Sequence, residues 1–236
     1  LYLDEFTRYL DTQVGLDAID LLLSLGYKVN LFQAESGRAF ISKGFLRQAR
    51  ALALKNSENL VGFAKARTPV IGLEPSALLT FRDEYHRLGL PGDLAEEIAS
   101  NCFLIEEFIS TEKQQGRIDS RQFTREVREV KIHVHCHQKA LSNQKVTFDM
   151  LNIPEGYTPT LITAGCCGMA GSFGYEKEHY MVSMRVGGLR LFPAVEKAGE
   201  QVILAANGTS CRHQIHDGTG REALHPVSIL KEALLR

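Results

Sequence analysis

Long hydrophobic runs are absent from this sequence. No stretch approaches the roughly 18 apolar residues that a membrane-crossing helix needs, and the N-terminus lacks the basic-then-apolar layout of a secretory leader. An excess of charge of one sign is absent too. The 27 Lys and Arg nearly balance 28 Asp and Glu, for a net charge of −1, which argues against nucleic acid or an acidic membrane surface as the main partner. Together these absences predict a cytoplasmic protein that does not span a membrane, with peripheral attachment at the inner face as the remaining membrane role. An initiator Met is also missing. The chain opens at Leu1 in a strand-like stretch, which predicts a piece of a longer polypeptide with partners in the remainder.

What is present is an ordinary globular composition. A chain of 236 residues with 44% hydrophobic content buries a sizeable core without covalent staples. The five cysteines are odd in number, which disfavours a disulfide framework and points to metal binding or redox chemistry.

Periodicity and turn residues predict an α/β protein. Leu1–Leu3 reads as a strand, Val14–Leu25 as a helix ending at Gly26, and Lys28–Phe32 as a second strand. Ser42–Phe63 carries Ala49, Leu52, Ala53, Leu60 and Val61 at helical spacing, and Pro69–Gly72 reads as a short buried strand. The second half repeats the order: strand Lys131–His135, helix Gln144–Leu151, strand Pro159–Ala164, a Gly-rich turn, helix Tyr175–Ala198 and strand Gln201–Ala205. Alternating strands and helices imply parallel sheets with crossover helices. The expectation is two pseudo-repeated lobes, each a small parallel sheet flanked by helices, over residues 1–110 and 130–236. The polar segment 111–129 reads as a linker. Laid together, Glu35-Ser36-Gly37 falls where Cys166-Cys167-Gly168 stands, and Glu74-Pro75-Ser76 where Thr209-Ser210-Cys211 stands. The first lobe thus has the loops without the thiols. Asp93–Phe108 reads as one helix, with Cys102 a core residue inside it.

Cys136, Cys166, Cys167 and Cys211 each follow a predicted strand. In an open parallel sheet the carboxyl ends of the strands share one edge, so the four thiols are expected to converge. Four thiolates are the usual complement of an iron–sulfur cluster. Adjacent cysteines chelate one small ion poorly but reach different irons of a cluster, with Gly168 permitting the tight turn. His133, His135, His137 and Lys139 flank the first thiol, and Arg212 and His213 the last; such cations and helix starts suit an anionic centre and ease thiol deprotonation. A zinc site remains open, because the alternating His133, His135 and His137 share one face of a strand. Glu176 and His179 have the spacing of a di-iron ligand pair but lack the second copy such sites need. The Gly165–Gly174 turn lacks the Lys-Ser/Thr of a phosphate loop.

Cys136, then Cys166-Cys167-Gly168, then Cys211 some forty residues on, resemble the cysteine-rich "CCG" domain. That domain occurs in heterodisulfide reductase B subunits and in iron–sulfur subunits of glycolate oxidase and anaerobic glycerol-3-phosphate dehydrogenase. The longer stretches Ser36-Gly37-Arg38 with Ile41-Ser42-Lys43-Gly44, Gly72–Ser76, His135–Leu141, Gly165–Glu178 and Gly208–Gln214 are similar to the C-terminal module of large FAD-linked oxidases with ferredoxin-type domains. The resemblance implies an iron–sulfur cluster, of the 4Fe-4S kind, held by Cys136, Cys166, Cys167 and Cys211, with His135, His137, Gly168, Arg212 and His213 around it. It further implies a role in passing electrons from a flavin that oxidises a 2-hydroxy acid, with FAD in the rest of the polypeptide. The partners implied are flavin and ferredoxin-type domains and a downstream acceptor. The motif departs from its fullest form at Arg212-His213-Gln214, where a fifth cysteine is lacking. Glu74 and Arg38 are expected to shape the cleft between the lobes or to form salt bridges. Two other roles stay open: thiol or disulfide chemistry at the cluster, and a structural zinc site used for assembly.

Overall fold

The computed structural model describes residues 1–235. In the first half, β1 (Tyr2–Leu3) runs into α1 (Glu5–Tyr9), whose start is fixed by the Asp4 carboxylate accepting the N–H groups of Phe6 and Thr7 at 2.8 and 3.0 Å. Helix α2 (Thr12–Ser24) then buries Val14, Ala18, Leu21 and Leu22, and β2 (Phe32–Gln33) returns parallel to β1. Next come α3 (Arg38–Ser42), α4 (Leu46–Lys65), β3 (Val70–Gly72), α5 (Pro75–Arg82), α6 (Glu84–Arg87), α7 (Gly92–Ser100), β4 (Cys102–Leu104) and α8 (Ile105–Gln114). Strand β4 pairs parallel with β3, and β1 packs beside β3.

The second half holds β5 (Arg128–His133), α9 (Cys136–Leu141), α10 (Lys145–Leu151), β6 (Tyr157–Leu161), α11 (Tyr180–Glu196), β7 (Ile203–Ala206), α12 (Thr209–Thr219) and α13 (Pro226–Glu232). Its three strands form a single parallel sheet in the order β6-β5-β7. The protein is α/β with small parallel sheets, as the pattern of elements predicts. The first half divides its strands between two two-stranded sheets, where the pattern predicts one.

The Asp93–Phe108 reading is corrected. Helix α7 stops at Ser100, Cys102–Leu104 forms a strand, and Ile105 starts a separate helix. The apolar run Cys102-Phe103-Leu104-Ile105 fits either period, and pairing with β3 selects the strand.

The halves share a core. Val14, Ala18 and Leu21 of α2 pack in one apolar cluster with Ile105 and Ile109 of α8, Val130 and Ile132 of β5, and Val227, Ile229 and Leu230 of α13. The last helix thus returns to pack on the second helix of the chain. Within 111–129, Thr111–Gln114 completes α8, and Ile118 and Phe123 are buried in the same shared core. A separate cluster in the second half, including Leu191, Phe192, Val195, Leu204 and Ile215, surrounds Cys167 and Cys211. No helix among the described residues is long and apolar enough to cross a membrane.

Candidate metal centre

All three strands of the second sheet point their carboxyl ends at one edge, and the four thiols meet there. Cys136 is the first residue of α9, immediately after β5; Cys166 and Cys167 lie in the loop after β6; Cys211 is the third residue of α12, after β7. The Sγ atoms of Cys167 and Cys211 stand 3.5 Å apart. Cys136, Cys166 and Cys167 line one cavity beside this pair. Cys167 and Cys211 are buried, whereas Cys136 and Cys166 line a cavity of about 480 Å³ between the halves.

Two glycines make the close approach possible. Gly168 has φ +105°, a conformation that side chains rarely adopt, and a Cβ there would collide with the Ser183 carbonyl of α11. Gly208 caps α12, and a Cβ on it would strike the His135 ring and lie 3.3 Å from the Cys211 sulfur.

Backbone donors surround the sulfurs. The Gly168 N–H donates to Cys166 Sγ at 3.3 Å, and Ala170 N–H also stabilises the Cys166 thiolate. His137 and Met169 backbone groups act in the same direction on Cys136 and Cys167. In the metal-free chain the Cys166 thiol is pushed well below its ordinary value, first by hydrogen bonds from Cys136 and Cys167 and then by these N–H groups. Cys211 is likewise pushed down, by its contact with the Cys167 sulfur first and then by the neighbouring His135 and His133. Cys136 and Cys167 are pushed up, by the neighbouring sulfurs first and then by burial. A metal centre held by these thiols would displace the remaining protons.

The flanking residues divide. His135 uses Nδ1 to accept the His137 N–H at 3.1 Å, which caps α9, and its own N–H donates to Asn207 Oδ1 at 3.1 Å. His137 stacks on His135 with ring centroids 5.3 Å apart, and burial pulls its pKa down to about 4, so it is neutral at pH 7. Lys139 donates to the carbonyls of Ala164 and Gly165 at 2.6 and 2.9 Å, which holds the cysteine loop and brings its charge near all four sulfurs. Arg212 turns elsewhere: its guanidinium pairs with Asp11 at 2.6 Å and donates to the Ala206 carbonyl at 2.8 Å, joining the halves. His213 bonds the Tyr175 hydroxyl at 2.6 Å at the cavity wall. Arg38 pairs with Glu84 at the cavity, and Glu74 accepts from Ser76 and from Thr209, so both serve packing between elements. Glu176 and His179 bond each other at 2.8 Å, and Glu176 also pairs with Lys43, which makes them a surface ion-pair group. Cys102 sits in the core of the first half, and burial pushes its thiol up to about 12.

The donor set suits a metal centre. His133 is 1% exposed, and neither of its ring nitrogens has a hydrogen-bond partner among the described residues. A buried imidazole with both nitrogens unmatched is costly unless a further group meets it. It lies with Cys167 and Cys211 in a group whose ligand atoms are all within 4.8 Å of one another. Four thiols from three loops, on a bed of N–H donors, suit the separate irons of a cluster. His133 was legible only as one of three alternating histidines. Asn207, Gln138 and Glu106, which link up behind His135, carried no local signal: Asn207 donates to Glu106 at 2.9 Å and also to Gln138.

No protein-family model matches the chain. Its curated relatives are oxidoreductases. The D-2-hydroxyglutarate dehydrogenase of Pantoea ananatis (strain AJ13355) is 29% identical over 233 residues, covering 98% of this chain and 22% of the relative. That of Escherichia coli (strain K12) is 29% identical over 238 residues, with the same coverage. The C subunit of the anaerobic glycerol-3-phosphate dehydrogenase of E. coli (strain K12) is 29% identical over 232 residues, covering 97% of this chain and 57% of that relative. The chain therefore spans 22% of the length of the first two relatives, and is similar to a segment of each.

Proposed function

We propose that this chain is the iron–sulfur electron-transfer module of an FAD-linked 2-hydroxy-acid oxidoreductase, of the kind that acts on lactate, glycolate or 2-hydroxyglutarate. The observation that carries the reading is the convergence of Cys136, Cys166, Cys167 and Cys211 at one sheet edge, on backbone N–H donors and beside His133. Similarity over nearly the whole chain to D-2-hydroxyglutarate dehydrogenases and to a glycerol-3-phosphate dehydrogenase subunit supports the substrate class. The four cysteines hold the cluster, a 4Fe-4S centre; it supplies a one-electron store. Lys139 offsets its negative charge, His135 and Asn207 hold α9 in register, and Gly168 allows the loop to fold beneath it. Flavin and ferredoxin-type domains of the same polypeptide or complex deliver electrons, and a downstream acceptor removes them. Residues 1–110, without thiols at the matching loops, close the far side of the cavity.

In the full enzyme, purified anaerobically, a D-2-hydroxy acid should bleach the cluster as well as the flavin within one turnover. Cys166→Ser and Cys211→Ser should abolish cluster bleaching and leave flavin reduction intact. Flavin reduction with an unchanging cluster signal in the unaltered enzyme contradicts the reading.

A second reading has one observation in its favour: the cavity reaches Cys136 and Cys166 directly. A small disulfide or thiol could meet the cluster there. A substrate-derived thiol trapped on Cys136 or Cys166 would support that role.

A further inference from the structure

Helix α11 lies directly behind the centre. The Gly187 backbone faces the Cys167 carbonyl, 2.9 Å from where a Cβ would sit, and the Ser183 carbonyl receives Gln214 Nε2 at 3.1 Å beside Gly168. Gly188 follows with no side chain to add bulk. The Phe192 ring packs against Gly187, so one helix, about 10 Å wide with its side chains, separates Cys167 from the outer face of α11.

The opposite side of the same helix is apolar and uncovered. Met181 is 64% exposed, Val182 43% and Leu189 74%, against 0–7% for Ser183, Leu191, Phe192 and Val195 on the packed side. Exposed apolar side chains so grouped mark an interaction surface. The surface continues into a groove of about 580 Å³ between α11 and β6, lined by Lys131, Arg190 and Lys197 with no carboxylate among its lining residues. Arg185 on α11 makes a third exposed cation with Arg190 and Lys197, beside the half-buried Lys131; Glu196 is exposed on the same helix, and Glu178 and Glu200 are exposed just beyond its two ends. In a chain of net charge −1, this cluster of cations is a local feature. Strand β6 is the outermost of its sheet, so its free edge borders the groove.

We infer that the outer face of α11 and its basic groove dock an acidic redox domain of the same enzyme, and that electrons reach the cluster across α11 at Gly187. The inference rests on the electron-transfer reading above and names the side from which electrons enter. In each transfer one electron leaves the reduced donor centre, which is oxidised by one, and the cluster is reduced by one; no bond is made or broken and no proton moves. Complementary charge sets the orientation of the donor, while Leu189 and Met181 supply the apolar contact. The cavity on the far side, which exposes Cys136 and Cys166, is then left for electron exit.

The test uses the full enzyme. A photo-reactive phenylalanine analogue replacing Leu189 should cross-link to an acidic segment of a flavin or iron–sulfur domain of that enzyme; cross-linking to a second copy of this face, or none, overturns the inference. The double variant Arg190→Glu with Lys197→Glu should keep iron and sulfide content yet slow cluster reduction by substrate about tenfold at low salt. Lys55→Glu on α4, an exposed cation on another face, should leave the rate unchanged. A wild-type rate in the double variant with its cluster intact removes the docking surface and leaves the cluster reading standing. An unaltered enzyme with no cluster removes the electron-transfer reading, and the cross-link alone then judges the surface.

Discussion

The Glu74 carboxylate, at the start of α5, accepts the backbone N–H of Thr209 at 2.8 Å, so a residue of the first half caps the helix that carries Cys211. Its other oxygen accepts the N–H of Ser76 at 3.1 Å and the Ser76 hydroxyl at 2.7 Å, and the side chain is only 4% exposed. The first half thereby holds in shape the half that carries the four clustered cysteines. Glu74→Ala should lower unfolding stability by about 2 kcal/mol, the scale of a hydrogen bond to a buried charged group, and should loosen Cys211. Urea unfolding together with the metal content of the folded fraction checks both.

Gly168 offers a sharper test of the cysteine loop. A methyl group there meets the Ser183 carbonyl and the Gln214 amide, and φ +105° is unfavourable for alanine. Gly168→Ala should therefore displace Cys166 and Cys167 and lose most of the bound metal, with destabilisation of about 2 kcal/mol or more. Gly188→Ala, at a glycine where only the Phe192 ring comes within 4 Å of the added methyl group, should retain the metal.

The five cysteines separate by role. Cys102 is 1% exposed in the apolar core and away from the centre, so Cys102→Ala should cost about 1 kcal/mol and leave metal content unchanged. Cys136→Ala, Cys166→Ala, Cys167→Ala and Cys211→Ala should each lose or alter the centre, read by iron and zinc content per chain.

Stability should fall as pH rises from about 4 to 7, because two buried carboxyls prefer the neutral form. Burial pushes both Asp4 and Glu106 up to about 7. Each contributes stability that is fully present below its unfolded pKa near 4 and is lost as pH rises through about 7. Glu106 has one oxygen without a partner and the other held by Asn207. Glu106→Gln keeps that acceptor and removes the titration, so it should flatten the decline between about pH 4 and 7, by an amount on the order of 3 kcal/mol. Unfolding curves of the two proteins across that range check the sign; an equal slope in both contradicts the assignment.

The sequence carried the local features well and the distant ones poorly. Strands β5, β6 and β7 and the thiols after them were legible because apolar runs and Gly-rich loops are local signals. Strand Lys28–Phe32 shrank to Phe32–Gln33, since only those residues find a partner in the two-residue β1. Helix α4 starts at Leu46 and not at Ser42, because Gly44 at φ +78° breaks the run between α3 and α4. Arg212 reads as a cation for the cluster, yet it pairs with Asp11, a residue 201 positions earlier in the chain. The isolation of His133 nitrogens and the network of Asn207, Glu106 and Gln138 arise from tertiary packing, for which no sequence period exists.

Whether four thiolates of this chain hold an iron–sulfur cluster is tested most directly by iron, zinc and acid-labile sulfide per chain after anaerobic purification. The expected result is iron with matching sulfide and a visible absorption that bleaches on reduction, all lost in Cys211→Ala. Stoichiometric zinc without sulfide would contradict it.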